Sequence, residues 1–132
     1  MDRPSIHPNA LCGALAVAIG LLLAAPAAGA GDPGHGKAVF AQQCAMCHTA
    51  NKGGATILGP NLFGVVGRKA GSVAGYSYSP HMKAADWVWS DGKLEAYLPA
   101  PRDMVPGTKM TYGGLHDPAK LADLMAYLDS QK

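Results

Sequence analysis

The chain has 132 residues, with 11 Lys or Arg against 9 Asp or Glu and a formal charge of +2. That near balance, with no basic tract and no interleaving of basic and aromatic residues, speaks against a nucleic-acid partner. The length sets one small domain with a modest core.

Residues 10–28 are almost continuously apolar, follow a short leader end carrying Arg3, and close on Ala28-Gly29-Ala30, a small-x-small pattern. They read as a secretory signal peptide cut after Ala30, leaving residues 31–132 as the domain. The stretch is just long enough to span a bilayer. Pro26 and Gly29 interrupt its end, however, and only residues 31–35 would link an anchor to the domain, so no stable membrane insertion is expected after cleavage. Cys12 opens the apolar run, whereas a lipid-modified cysteine would close it; it is expected to leave with the leader. Export implies the periplasm. The remaining chain holds ten Lys or Arg and eight Asp or Glu.

Asp32-Pro33 pairs an N-cap with a proline at the first helical position, predicting a helix to about Cys44 with Val39 and Phe40 inward. Gly36 weakens that helix unless a second helix crosses closely there. Cys44-Ala45-Met46-Cys47-His48 follows. Two cysteines two residues apart, with a histidine directly after, form the attachment signature for c-type haem. Two thiols on one turn can reach the two vinyl groups along one porphyrin edge, and the next residue projects an imidazole toward the iron. Cys44 and Cys47 are then thioether attachments for one covalent haem c, and His48 is the proximal iron ligand. A structural zinc site would need further cysteines, and after Cys47 there are none. A thioredoxin-like motif would sit near a βαβ unit, and no strand-like alternation surrounds this one. The haem would be the centre of the core, and the chain without it poorly folded.

Beyond His48 the chain is rich in Gly and Pro, and loops and turns are expected. A short helix is predicted over residues 79–86, and another from a Ser90 cap to a stop before Pro99. Pro99 and Pro101 predict an irregular segment through Gly107. Asp117-Pro118 repeats the helix-start signal, and Leu121, Leu124, Met125 and Leu128 follow it at i, i+3, i+4, i+7. Tyr127, beside this stripe, can pack over Gly36, so the terminal helices are expected partners. The fold class is all-α, loop-rich and wrapped around a cofactor. A sixth iron ligand must come from the remaining methionines or histidines. Met46 lies inside the attachment turn, Met125 belongs to the helical stripe, and Met82 reads as core. Met110 follows a stiff Pro106-Gly107 turn, and Met104, before that turn, is its rival.

The sequence resembles the class I cytochromes c, close to the mitochondrial type and its soluble bacterial relatives. The resemblance spans residues 36–127. It runs through Cys44-Ala45-Met46-Cys47-His48, Gly59-Pro60-Asn61-Leu62, Gly64-Val65-Val66-Gly67-Arg68, Tyr76-Ser77-Tyr78, Trp89, residues 94–98 and Pro106-Gly107-Thr108-Lys109-Met110, and ends in Leu124-Met125-Ala126-Tyr127. It implies Met110 as the second axial ligand. It further implies that the Pro60 carbonyl accepts the Nδ1 proton of His48, that Tyr97 bonds near the Met110 sulfur, and that Thr108 supports the same loop. Tyr78 and Trp89 are implied to bond a buried propionate, with Arg68 supplying positive potential. Gly36, Phe40, Leu124 and Tyr127 form the implied helix crossing, and Tyr112 takes the place of an aromatic over the haem edge.

Two departures from the family pattern stand out. Met82 occupies the place of a polar Asn, which implies a drier pocket. Gln43, Ala55, Ile57, His116 and Asp117 stand where mitochondrial forms carry several lysines, while Arg102 and Lys109 keep the charge. The partner surface is therefore expected to be more apolar and its association less sensitive to salt.

With both axial positions filled there is no open site for a substrate, which favours electron transfer over enzymatic oxygen or peroxide chemistry. The chain reads as a soluble, monomeric one-electron carrier and not an enzyme. Its expected donor is a quinol:cytochrome c reductase or a dehydrogenase, and its acceptor a terminal oxidase or a photosynthetic reaction centre. A haem peroxidase, or a gas-binding sensor with a labile methionine, is the alternative.

Overall fold

The structure, a computed structural model, describes residue 1 and residues 30–132. The proposed leader and its cleavage signal, except Met1 and Ala30, lie outside the described residues. Five helices follow one another: α1 (Pro33–Gln43), α2 (Pro80–Ala84), α3 (Asp91–Tyr97), α4 (Pro101–Met104) and α5 (Pro118–Ser130). Among the described residues no strand forms, and one isolated antiparallel bridge joins Lys69 to Val88. No helix among them is long and apolar enough to cross a membrane.

The two long helices begin as the Asp-Pro pairs require. The Asp32 carboxylate accepts the His35 N–H at 2.7 Å, and Asp117 accepts those of Ala119 and Lys120 at 2.9 and 3.2 Å. Each aspartate thus satisfies donors that the first helical turn leaves without partners, and Pro33 and Pro118 have no N–H to satisfy. α1 buries Gly36, Val39 and Phe40, and α5 buries Leu124, Met125 and Leu128. The faces meet where Phe40 packs on Tyr127 with ring centroids 5.4 Å apart. The Asp32 N–H also donates to the Asp123 carboxylate at 2.7 Å, closing the chain across 91 residues.

Gly36 is what lets the helices cross so closely. A Cβ there would collide with the Asp123 carbonyl and lie 2.7 Å from Tyr127 Cβ. Backbone cannot rotate away as a flexible side chain can. Gly36→Val should therefore destabilise the domain by roughly 3 kcal/mol or more. A thermal melt should show the midpoint lowered by about 10 °C or more; an unchanged midpoint would mean that the helices do not cross at this glycine.

Two of the shorter helices place a side chain at the cleft, Met82 on α2 and Tyr97 on α3. Ser79 caps α2 and Ser90 caps α3, through bonds of 3.3 and 3.2 Å from Met82 N–H and Lys93 N–H. α2 stops at Ala84, two residues short of the predicted helix, because Ala85 adopts an extended conformation with ψ 122°. α3 stops before Pro99, which supplies no N–H to continue it. The segment from Pro99 to Gly107 is not wholly irregular as predicted. Pro101 sits at the first position of α4, where a missing N–H is harmless, and one helical turn forms before Val105. Pro101, Val105 and Leu124 are the largest fully buried side chains, so this turn is tied into the centre of the core. Lys69 is exposed, as expected of a surface lysine, but lies 3.5 Å from the Asp86 carboxylate. With both groups in solvent that pair contributes little.

Candidate cofactor site

The middle of the chain is bent around a cleft of about 550 Å³, within the range of cofactor-sized pockets. Cys44, Cys47 and His48 border it, as do Thr108, Met110 and Tyr112. Behind it a smaller cavity of about 100 Å³ shares Cys44, His48, Pro60, Tyr78, Met82, Tyr97 and Met110, and adds Arg68 and Trp89.

The attachment turn follows directly from α1. The N–H groups of Cys44 and Ala45 both donate to the Phe40 carbonyl, at 2.8 and 2.9 Å, and that of His48 to the Cys44 carbonyl at 2.9 Å. Both cysteines are half-buried, and neither forms a disulfide. Burial, and secondarily the neighbouring Cys47, pushes the Cys44 thiol up to about 11. Among the described residues no group of three or more His, Cys, Asp or Glu gathers to hold a metal ion.

His48 is oriented from two directions. Its Nδ1 lies 2.8 Å from the Pro60 carbonyl. A carbonyl only accepts, so Nδ1 carries the proton and Nε2 keeps its lone pair. Burial, above all, holds the imidazole below its usual pKa; the Pro60 bond opposes this and Arg68 adds to it. The ring is thus kept as a neutral base. Gly59 closes the other side. A Cβ at this buried glycine would collide with His48 Cε1 and approach Nδ1 to 2.7 Å. The Gly59 N–H also donates to the Cys47 carbonyl at 2.8 Å, fixing the loop to the turn it supports. Sequence reasoning read Gly59 only as a turn residue, and its place directly before Pro60 was the available signal.

The opposite wall is built on a tight turn. The Thr108 N–H donates to the Val105 carbonyl at 3.0 Å, and Gly107 sits at φ 71°. Proline second and glycine third, with that closing bond, make a type II turn. Beyond it Thr108 Oγ1 accepts the Met110 N–H at 3.2 Å, and Tyr97 Oη donates to Met110 Sδ at 3.4 Å. Burial raises the Tyr97 hydroxyl above its usual pKa, which keeps the proton it donates. Met110 therefore reaches the cleft. Met104 borders neither cavity and packs against the core from α4.

The other residues of the site are placed as follows. Tyr78 Oη accepts the Val73 N–H at 3.1 Å. Arg68 donates through Nη1 to the Phe63 carbonyl at 3.1 Å. The ring of Trp89 packs against Tyr97, with centroids 4.9 Å apart. Met82 is buried, as a core residue should be, but it also borders both cavities. Two bonds unforeseen from sequence cross the mouth. Lys109 Nζ donates to the Ser77 carbonyl at 2.6 Å, and Tyr112 Oη to Gln43 Oε1 at 3.2 Å.

This donor set fits a haem. An imidazole, a thioether and two cysteine side chains, from His48, Met110, Cys44 and Cys47, line the same largely apolar cleft. Tyr78, Arg68 and Trp89 are polar groups at its inner end, where ionised propionates would need partners.

The profile of the cytochrome c family matches residues 34–132. The cytochrome c of Theileria annulata is 51% identical over 98 residues, covering 74% of this chain and 84% of that protein. That of Nigella damascena is 45% identical over 99 residues, covering 75% and 89%. That of Chlamydomonas reinhardtii is 46% identical over 99 residues, covering 75% and 88%. These organisms are eukaryotes, whose cells have no periplasm, and this overturns the expected compartment. The export reading rests on Arg3, the apolar stretch and the Ala28-Gly29-Ala30 pattern, which apart from Ala30 lie outside the described residues, and such a pattern does not identify the cell that makes a chain.

Proposed function

Since this chain belongs to the cytochrome c family, and carries haem c on Cys44 and Cys47 as that family does, we propose that it shuttles single electrons with the iron held between His48 and Met110. When bound, the haem supplies a one-electron iron couple. The protein supplies the rest. Pro60 and Gly59 fix the imidazole so that Nε2 points along one direction, and the neutral ring is ready to donate. The type II turn presents Met110 from the opposite wall, and Tyr97 draws electron density from its sulfur. A thioether so polarised favours the reduced state and raises the potential. Burial of the site, with Met82 at a wall of both cavities, excludes water and acts in the same direction.

The single observation that carries this reading is Met110, held by Tyr97 and Thr108 against the cleft. With that ligand in place no coordination position is left for oxygen or peroxide. A place in a respiratory chain, between a quinol:cytochrome c reductase and a terminal oxidase, is part of the proposal and rests on the family resemblance.

The absorption spectrum of the holoprotein tests it. A sharp reduced c-type band, a weak far-red methionine–ferric band, and no response to carbon monoxide are expected. A reduced spectrum that shifts with carbon monoxide would mean an open site and would favour the peroxidase or sensor reading.

A further inference from the structure

The segment that carries Met110 has little backbone to hold it. Its ends are fixed, by the bond from the Thr108 N–H to the Val105 carbonyl at 3.0 Å and by that from the Leu115 N–H to the Leu98 carbonyl at 2.9 Å. Between those ends, residues 109–114 make no backbone–backbone hydrogen bond among the described residues. A glycine in the left-handed region stands at each end, Gly107 at φ 71° and Gly114 at φ 110°. A stretch without such bonds opens locally at low cost, so its side chains decide how firmly it stays closed.

Three side-chain ties reach out of this segment, and they are not equivalent. Tyr97 Oη donates to Met110 Sδ at 3.4 Å, but a thioether is a weak acceptor. Lys109 Nζ donates to the Ser77 carbonyl and hydroxyl at 2.6 and 3.1 Å, and Ser77 itself lies in a loop, before the Ser79 cap of α2. Tyr112 Oη donates to Gln43 Oε1 at 3.2 Å. Gln43 is the last residue of α1 and stands directly before Cys44. Since α1 packs on α5 through Phe40 and Tyr127, this third tie fastens the segment to the terminal-helix pair. The Tyr112 ring also packs against the core, and burial raises its hydroxyl above the usual pKa, so the proton it donates is retained.

We propose that the hydrogen bond between Tyr112 and Gln43 is a latch on the Met110 segment, and that these two side chains are positioning residues which set how often Met110 leaves its seat. The proposal rests on the reading of Met110 as the iron ligand. Neither residue touches the iron in it. They act by joining the loop that presents one ligand to the helix end that leads into the attachment turn. A closed latch leaves the ligand set as it is and slows its opening.

The test is stopped-flow binding of imidazole to the ferric holoprotein, followed by loss of the far-red methionine–ferric band. Imidazole is uncharged and takes the sixth position only when Met110 has left it, so at saturating imidazole the rate is that of opening. Tyr112→Phe removes the hydroxyl and keeps the ring, and Gln43→Leu removes the acceptor. Each should raise the limiting rate roughly two- to tenfold, the range expected for one hydrogen bond. The double variant should open no faster than either single one, because both remove the same bond. Gln43→Glu keeps an acceptor oxygen and should open no faster than the wild type. The far-red band and the midpoint potential should stay in place in all four, which a disturbed haem site would not allow. Unchanged rates in Tyr112→Phe, or effects that multiply in the double variant, would overturn the latch while leaving the ligand assignment intact. A wild-type protein with no methionine–ferric band would overturn both.

Discussion

Met110→Ala is expected to lower the midpoint potential by on the order of 100 mV or more, and to make the reduced protein bind carbon monoxide. The magnitude follows from what the substitution removes. Met110 Sδ belongs to a side chain that lines the cleft, and it accepts a hydrogen bond from Tyr97 Oη at 3.4 Å. Alanine has no donor atom, so a strong protein ligand would give way to water or to nothing, and small molecules would gain a coordination position. Peroxidase activity should appear with it. Met104→Ala is the control. Met104 sits on α4, away from both cavities, and its loss should cost stability but leave the potential in place. Spectroelectrochemical titration of both variants decides the matter. A potential kept by Met110→Ala and lost by Met104→Ala would reverse the ligand assignment.

The second large effect concerns folding. With Cys44→Ser and Cys47→Ser together, the haem loses its covalent attachment. The domain is then expected to lose its cooperative thermal transition. A cleft of about 550 Å³, left without its occupant, would cost on the order of 10 kcal/mol if it stayed open. That is comparable with the whole stability of a small domain. The walls would instead collapse, and the collapsed chain would have no fixed packing. α1 and α5 could still associate through Phe40, Leu124 and Tyr127. Circular dichroism should therefore retain some helical signal but show no sharp melt. A cooperative transition near that of the holoprotein would mean that the core stands without haem.

The helices that were easiest to read from sequence are those with complete local signals. Asp32-Pro33 and Asp117-Pro118 state a cap and a first turn in two residues each, and both caps form. α5 adds a stripe of apolar residues at helical spacing. α4 was missed because the same proline that stops a helix also starts one, and sequence alone does not reveal on which side of Pro101 the chain turns. The attachment motif was legible because its chemistry is confined to five consecutive residues. The separation of Met110 from Met104 was less so. Local reasoning favoured the residue after the turn, but the decisive facts are long-range: Tyr97 reaches across from α3 to one sulfur, and α4 withdraws the other. The compartment was misread because a charged end, an apolar stretch and a small-x-small pattern describe a segment's composition and not the cell that makes the chain.

The crossing of α1 and α5 also sets an order of assembly. α1 and the attachment turn are made early, whereas α5 is the last of the five described helices to be synthesised. The contact of Asp32 with Asp123 spans 91 residues, and a loop that long closes only after its far end exists. Until then Gly36, Val39 and Phe40 have no partner face, and the cysteines stand on an open chain. The interval between the emergence of Cys47 and that of Leu124 is thus a period in which the thiols remain accessible. The closure that would bury the cofactor comes after the opportunity to attach it.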